Sequence, residues 1–194
     1  ASVNHAHFHL SHWPYAASIG NAAVRSLAPH TFVCDDPSGW FVPFLAFQMA
    51  SLDDLDTFVR AQLICADLFS SLHLAHNLTM LRCPPLKDHQ GKVHREELAD
   101  SKELYLTAFL FPRQSVFGAK PVAANFHPAA FELAGMLLIY TFPFFSSMSE
   151  EAIVRTIEEE ARLSPQEYAN IFAKVQERVT EEALRKKECD DENN

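Results

Sequence analysis

One stretch decides the predicted fold: residues 52–82, which read LDDLDTFVRAQLICADLFSSLHLAHNLTMLR. The apolar residues in it recur at intervals of three and four, a spacing that places them on one face of an α-helix. Ser51 precedes the stretch as a candidate N-cap, Asp54 follows it three residues later, and Pro84 stands just beyond the end. We therefore predict a long helix over residues 52–82 at the centre of the protein.

Two further helix patterns lie on either side of this stretch. Residues 16–28 have small and apolar side chains at helical spacing, and Pro29 ends them. Pro128 suits the first turn of a helix, because proline lacks an N–H group that this turn leaves unpaired. We expect that helix to cover residues 128–142 and to form the core together with the helix over residues 52–82.

The last fifty residues carry the clearest local signals in the chain. Ser149 can cap a helix that two glutamates open with favourable charge. Residues 164–167, SPQE, combine an N-cap, a proline at the first helical position and a glutamate at the third. These signals predict a pair of helices, the first over residues 149–162 and the second starting at Pro165, followed by an acidic tail.

Two segments between the predicted helices have other patterns. Residues 86–103 are polar and charged, which predicts a surface loop with a short helix near residues 95–100. Residues 104–111, LYLTAFLF, form a mostly apolar run whose length fits a strand as well as a short buried helix. Both interpretations of residues 104–111 stay open on the sequence.

Together these patterns predict a mainly α-helical protein, an irregular bundle of about five to seven helices with a C-terminal helical pair. We expect a helical core domain over residues 1–148, which includes a histidine-rich N-terminal segment. Residues 149–194 are expected to form a second unit, made of the helical pair and the acidic tail.

The composition argues against several classes of protein. The 194 residues carry a formal charge of −9, whereas a protein that binds the phosphate backbone of nucleic acid normally has the opposite balance. Only 5 glycines are present, which argues against glycine-rich phosphate loops and against a β-barrel with many turns. The 4 cysteines have no paired spacing, so we expect free thiols in a reducing compartment inside the cell.

Histidines supply the candidates for a metal site. Four of them lie close together near the N-terminus, and two more form an H-x-x-H pattern in the predicted central helix. Imidazole rings that share one face of a strand or a helix can bind zinc, copper or nickel. The alternative is that these side chains are packed or exposed without a metal ion. The candidate ligands are His5, His7, His9, His12, His73 and His76.

Residues 133–145 contain no charged residue. A full membrane span needs about 20 apolar residues, so this stretch is short for one. A buried core helix fits its length best, and an element that contacts a membrane surface is the main alternative.

The sequence contains no recognisable catalytic motif. It has no G-x-S-x-G nucleophile turn and no G-x-x-x-x-G-K phosphate loop, so the catalytic residues stay unknown and no cofactor is predicted. The abundant aromatic residues exceed what one small core is expected to bury, which indicates an interaction surface.

Two function hypotheses follow. The first is a non-catalytic accessory subunit of a larger complex, associated with an organelle membrane such as that of the mitochondrion. Its partners would be other protein subunits and, through residues 133–145, a membrane surface. The second hypothesis is a soluble helical enzyme or ligand-binding protein that uses scattered histidines, with or without a metal ion.

Overall fold

A computed structural model describes residues 17–115, 126, 128–139 and 141–192, with residues 186–192 described by their backbone alone. Its centre is a five-stranded antiparallel sheet, so the prediction of a mainly α-helical bundle is wrong and the fold is mixed α/β. The strands are β1 (Arg25–Ala28), β2 (Thr31–Cys34), β3 (Phe44–Met49), β4 (Ala75–Cys83) and β5 (Tyr105–Arg113).

Helices cover both faces of this sheet. One face packs against α1 and α5, and the opposite face packs against α2 and α4. Three short 3-10 turns complete the regular structure, over Ser18–Asn21, Leu52–Asp54 and Glu96–Leu98. The helices are α1 (Leu55–Ser71), α2 (Ala130–Leu133), α3 (Phe142–Ser147), α4 (Glu150–Ala161) and α5 (Pro165–Glu192).

The strand order is β1-β2-β3-β5-β4, which places β3 and β5 in the interior of the sheet. Side chains alternate along a strand, so each strand contributes to both faces. Phe44 and Ala46 enter the cluster under α2 and α4, which we call the first core. Leu45 and Phe47 enter the cluster under α1 and α5, which we call the second core. All four side chains are at most 1% exposed, so both faces of β3 are buried over Phe44, Leu45, Ala46 and Phe47.

The predicted helix over residues 52–82 is wrong in its second half, because α1 ends at Ser71 and the chain continues as β4. His73 stops the helix by taking a left-handed conformation, with φ of 54°. Its N–H donates to Ser70 O at 3.0 Å, and the N–H of Leu74 donates to Phe69 O at 2.8 Å. This is the Schellman arrangement, in which glycine is the usual left-handed residue.

In the sequence, the apolar residues keep a helical spacing past His73. The leucines of β4 fit this spacing and also fit a strand. All nine residues of β4 pair with β5, from the pair of Ala75 and Arg113 to the pair of Cys83 and Tyr105. Leu78 and Met80 point outward and are exposed, whereas Cys83 lies in the first core. The apolar residues of this segment therefore fit both the helical and the strand spacing, and the pairing with β5 is what makes the segment a strand.

We predict that His73→Gly raises the free energy of unfolding by about 1 kcal/mol, because a residue with a Cβ is strained in the left-handed region and glycine is not. Urea unfolding followed by circular dichroism measures the change. His73→Ala is the matched control, since it removes the imidazole but keeps the Cβ. If the two variants were equally stable, the backbone explanation would be wrong.

Two other predicted helices are also corrected. In the segment predicted as a helix over residues 16–28, the described residues 17–28 hold a 3-10 turn followed by β1, not a helix. The predicted helix over residues 128–142 is interrupted: α2 ends at Leu133, because Gly135 takes φ of 83°, and the next helix, α3, starts only at Phe142. The indole N–H of Trp40 donates to Leu133 O at 2.9 Å, and the Trp40 ring lies 3.1 Å from where a Cβ on Gly135 would be. The close approach of Trp40 therefore favours glycine at this turn.

The C-terminal helices are confirmed together with their caps. Ser149 Oγ accepts the N–H of Ala152 at the start of α4. At the start of α5, Glu167 accepts the N–H of Ser164 at 2.8 Å, and the hydroxyl of Ser164 accepts the N–H of Glu167 at 3.3 Å. The division into units at residues 148 and 149 stays a prediction. The predicted apolar stripe of α5 is buried in the second core; it comprises Tyr168, Ile171, Phe172, Val175 and Val179.

The two segments left between the helices are now assigned. Residues 86–103 contain irregular chain and one 3-10 turn, Glu96–Leu98, in agreement with the predicted loop. The alternative for residues 104–111 is decided in favour of a strand, β5. Phe109 and Phe111 of that strand face the first core and pack their rings against Phe44, with centroid separations of 5.4 and 5.6 Å.

An ion pair joins the predicted cap before α1 to the loop after β4. Asp54 accepts the N–H groups of Ala50 and Ser51, and it also accepts Arg95 Nη1 at 2.7 Å. The hydrogen bond from Arg95 is the largest cause that lowers the pKa of Asp54. This contact therefore stabilises the fold at a pH above the ordinary aspartate pKa, and the stabilisation is lost as the pH falls through the lowered value.

We predict that Asp54→Asn lowers the free energy of unfolding by about 1 kcal/mol at neutral pH. The difference from the wild type should shrink as the pH falls through the lowered pKa of Asp54, where the wild-type carboxyl is itself protonated. Chemical unfolding over a pH series measures this, with Asp53→Asn as the control at a neighbouring exposed carboxylate. A difference that stays constant with pH would contradict the assigned charge effect.

Candidate functional site

The structure places two of the six predicted histidine ligands. His73 occupies the left-handed turn after α1, and His76 lies in β4 and not on the helix that the H-x-x-H pattern predicted. His76 Nδ1 lies 3.1 Å from Leu74 O, and its ring packs edge-on against Phe69. The other four candidate ligands lie outside the described residues; they are His5, His7, His9 and His12.

No group of three or more His, Cys, Asp or Glu side chains comes together as a possible metal site in the described part of the chain. His73 and His76 therefore have no third ligand from those residues. A further histidine, His94, has Nε2 at 2.7 Å from Val24 O and packs its ring, tilted by 43°, against Phe32 at a centroid separation of 4.8 Å, which is a packing role. Metal binding by the N-terminal histidines stays a prediction.

The cysteines are buried and unreactive where the structure describes them. Cys34, Cys65 and Cys83 are free thiols, as the sequence predicted. Burial raises the pKa of Cys34 to about 12, and the charges of Asp35 and Asp36 add to the effect. Burial also raises the pKa of Cys65 to about 12 and that of Cys83 to about 11. None of the three forms a thiolate near neutral pH, so none is a suitable nucleophile.

A polar cluster lies where β5 ends beside the start of β4. Arg113, the last residue of β5, faces the first core and is only 5% exposed. Its Nε donates to Asn77 Oδ1 at 2.5 Å, and its Nη1 donates to Gln114 O at 2.8 Å. Because Ala75 pairs with Arg113 across the hairpin, Asn77 stands two residues further along β4 on the same face.

The C-terminal end of α4 fixes this cluster from the other side. The backbone N–H of Gln114 donates to Ala161 O at 2.9 Å, and its side-chain amide donates to Arg162 O at 2.5 Å. Glu158 accepts from Arg162 one turn earlier. The guanidinium of Arg113 is therefore held in place by the sheet and by a helix.

Burial lowers the pKa of Arg113, because a charged group loses its hydration there. An arginine nevertheless stays protonated in proteins. The cluster thus presents a buried positive charge, which is suited to binding an anion. Sequence reasoning missed Arg113, since an isolated arginine after a run of apolar residues has the pattern of an ordinary strand end at the surface.

A separate apolar cavity of about 590 Å³ lies between α3 and α4. It is lined by Leu137, Leu138, Ile139, Phe145, Met148 and Ile153, so no titratable side chain faces it. Its volume suits a small ligand, but the lining provides no group for acid–base chemistry.

The apolar stretch 133–145 does not behave as one unit. Leu133, Ala134 and Met136 are buried in the first core, whereas Phe142 is 78% exposed. Among the described residues, no helix is both long enough and apolar enough to cross a membrane.

Comparison with known proteins gives relatives that share an enzymatic name. The chain is similar to GDP-D-glucose phosphorylase 1 of Caenorhabditis elegans, with 36% identity over 173 residues, which cover 88% of this chain and 35% of that protein. The human protein of the same name is 30% identical over 175 residues, 89% of this chain and 42% of the relative. The Bos taurus protein is 29% identical over 163 residues, 82% of this chain and 39% of the relative.

The chain thus spans less than half the length of the curated relatives that it matches. No family model matches the chain, and no solved structure matches it.

These findings correct the preferred function hypothesis. The relatives are named as enzymes, so the prediction of a non-catalytic accessory subunit is wrong, as are its predicted partners, other protein subunits and a membrane surface. The reason lies in the packing. Two cores, one on each face of the sheet, bury many of the aromatic residues that the sequence argument had assigned to an interaction surface, although Phe142 and Phe145 stay exposed. The enzyme alternative agrees better with the relatives, although its helical fold is also corrected.

Proposed function

We propose that this protein takes part in the phosphorolysis of GDP-D-glucose, in which inorganic phosphate cleaves the sugar nucleotide into GDP and glucose 1-phosphate. The observation that carries the proposal is the 36% identity to the Caenorhabditis elegans phosphorylase over 88% of the chain. Similarity over most of the chain supports a shared activity better than a short motif does.

The reaction balances without a redox partner. A phosphate oxygen attacks, one bond of the GDP-glucose linkage breaks, and the leaving group carries away the electron pair of that bond. If phosphate attacks the α-phosphorus, which carries the guanosine, glucose 1-phosphate leaves and the new phosphate ends in GDP. If it attacks the sugar carbon, the new phosphate ends in glucose 1-phosphate. Both routes give the same two products.

The charge of the chain constrains where such substrates can bind. Both substrates are anions, and the chain carries a formal charge of −9, so the protein as a whole repels them. Binding therefore needs a local positive group that is shielded from the acidic surface. The buried charge of Arg113 is such a group in the described part of the chain.

We predict that the protein, expressed from its own gene, releases GDP from GDP-D-glucose only when inorganic phosphate is present. Separation of nucleotides by ion-exchange chromatography measures GDP, and an assay of glucose 1-phosphate measures the second product in equal amount. Phosphate labelled with ¹⁸O then shows by mass spectrometry which product receives the new phosphate.

UDP-glucose with the same phosphate concentration is the control for the nucleotide. Release of GDP at the same rate without phosphate would indicate hydrolysis, and absence of any release would contradict the proposal.

The histidines near the N-terminus are the residues to change first. Imidazole can act as a nucleophile or as a general acid or base, and the described cysteines are excluded by their raised pKa values. The same side chains were predicted as metal ligands, and metal analysis distinguishes the two roles. The variants replace one residue at a time with Gln, at His5, His7, His9 and His12.

If these histidines act directly, we predict that a variant loses activity while the wild type contains less than about a tenth of an equivalent of zinc, copper or nickel by mass spectrometry. If they bind a metal, the wild type holds about one equivalent, chelation removes the activity, and the variants lose the metal. Full activity in all four variants would rule out both roles. His73→Gln is the control, since that position is explained by the turn after α1.

A reducing compartment inside the cell is part of this proposal. It is supported by three buried cysteines without disulfide partners. A mitochondrial location stays a prediction that fractionation of cells would test.

A further inference from the structure

Among the described residues, Arg113 is the only lysine or arginine that is less than a tenth exposed. Arginine and lysine are seldom buried so deeply unless an opposite charge pairs with them. Removing a guanidinium from water is energetically unfavourable, and a good geometry or a counter-charge must offset this cost. The surroundings of Arg113 therefore need an explanation.

The acceptors that the described structure gives Arg113 are both neutral. They are the side-chain amide oxygen of Asn77 and the backbone carbonyl of Gln114. By contrast, Arg25 and Arg95 contact carboxylates of Asp35 and Asp54. No carboxylate among the described residues forms an ion pair with Arg113, and burial alone lowers the pKa of its guanidinium.

The guanidinium is also fixed and lies near the surface. Asn77 holds Nε from β4, and Gln114 is itself tied to the last turn of α4 through Ala161 and Arg162. A guanidinium has five N–H donors, and these contacts account for two of them. Gln114, the next residue, is exposed, so the buried guanidinium belongs to a residue directly beside solvent-exposed chain.

We propose that Arg113 is a binding residue for a phosphate group of the substrates, held in position by Asn77 and Gln114. The planar guanidinium presents parallel N–H groups that match two oxygens of a phosphate, and the buried position strengthens that contact. The inference rests on the proposed function for the identity of the ligand. The phosphate group has two sources, free inorganic phosphate and the diphosphate of the sugar nucleotide.

A purely structural role makes a different prediction. If Arg113 only packed against the first core, a neutral side chain of similar length would be tolerated or would stabilise the fold, because the charge would no longer be buried. Binding of phosphate and GDP would then be unchanged. Arg113→Gln and Arg113→Lys test the two roles together.

The first experiment measures binding without turnover. Isothermal titration calorimetry on the wild type and both variants uses inorganic phosphate in one arm and GDP in the other. We expect Arg113→Gln to lower the affinity for the ligand that contacts Arg113 by about 10- to 100-fold, the usual effect of losing a hydrogen bond to a charged group. Arg113→Lys keeps the charge but lacks the paired N–H groups of the guanidinium, so we expect a smaller loss of affinity, about tenfold.

The control is Arg82→Gln in the same hairpin. Arg82 is exposed and donates to Leu104 O, so its loss should leave both affinities within about twofold of the wild type. The second experiment measures kcat and KM for each substrate. A rise confined to the KM for phosphate assigns Arg113 to the free phosphate, and a rise confined to the KM for GDP-D-glucose assigns it to the sugar nucleotide.

The outcomes separate this inference from the proposed function. Wild-type binding that depends on Arg113, without turnover of GDP-D-glucose, would support the site and contradict the function. Turnover that is unchanged in both variants would support the function and overturn the site. If Arg113→Gln does not fold, Arg113→Lys decides, and affinities equal to those of the wild type in the folded variant overturn the inference. A wild type that binds neither phosphate nor GDP also overturns it.

Discussion

The pairing of β3 with β5 is the constraint on which the rest of the structure depends. Five residue pairs join the two strands, from Leu45 with Leu110 to Met49 with Leu106. Both strands carry large apolar side chains on both faces, so the sheet is stable only when helices cover each side. Full burial of one such side chain contributes about 1.5–3 kcal/mol, and this drives α1 and α5 to one face and α2 and α4 to the other.

The same arrangement creates the polar cluster at the edge of the first core. β5 extends past its pairing with β3 but stays paired with β4 as far as Arg113. The strand therefore places a cation below the surface, where the amide of Asn77 and the carbonyl of Gln114 accept its N–H groups and Gln114 is tied to the end of α4. Under the proposed function, the anionic substrates would need a local positive group of this kind, because the net charge of the chain works against their binding.

The sequence interpretation was correct where the signal involved residues close together in the chain, and wrong where it depended on distant residues. Ser149 and the segment 164–167 act within one helical turn, and both caps are present in the structure. The stretch from Ala75 to Cys83 was misassigned because its leucines fit both spacings and its hydrogen-bond partners lie in β5, far along the chain. His73 ended α1 in a conformation that is usually marked by glycine, so the sequence contained no visible stop.

The features of the candidate site and of the fold also fall into two groups, those that the sequence determined and those that only the tertiary structure decided. The sequence alone determined the clustering of histidines near the N-terminus, the absence of cysteine spacing for disulfides and the excess of acidic residues. It also determined the helix starts, since a cap depends on residues three positions apart. Only the tertiary structure decided that β4 is a strand, that many of the aromatic residues are buried in two cores, and that Arg113 is buried beside neutral acceptors. Burial and strand pairing depend on residues that are distant in the chain, so no local pattern of side chains can specify them.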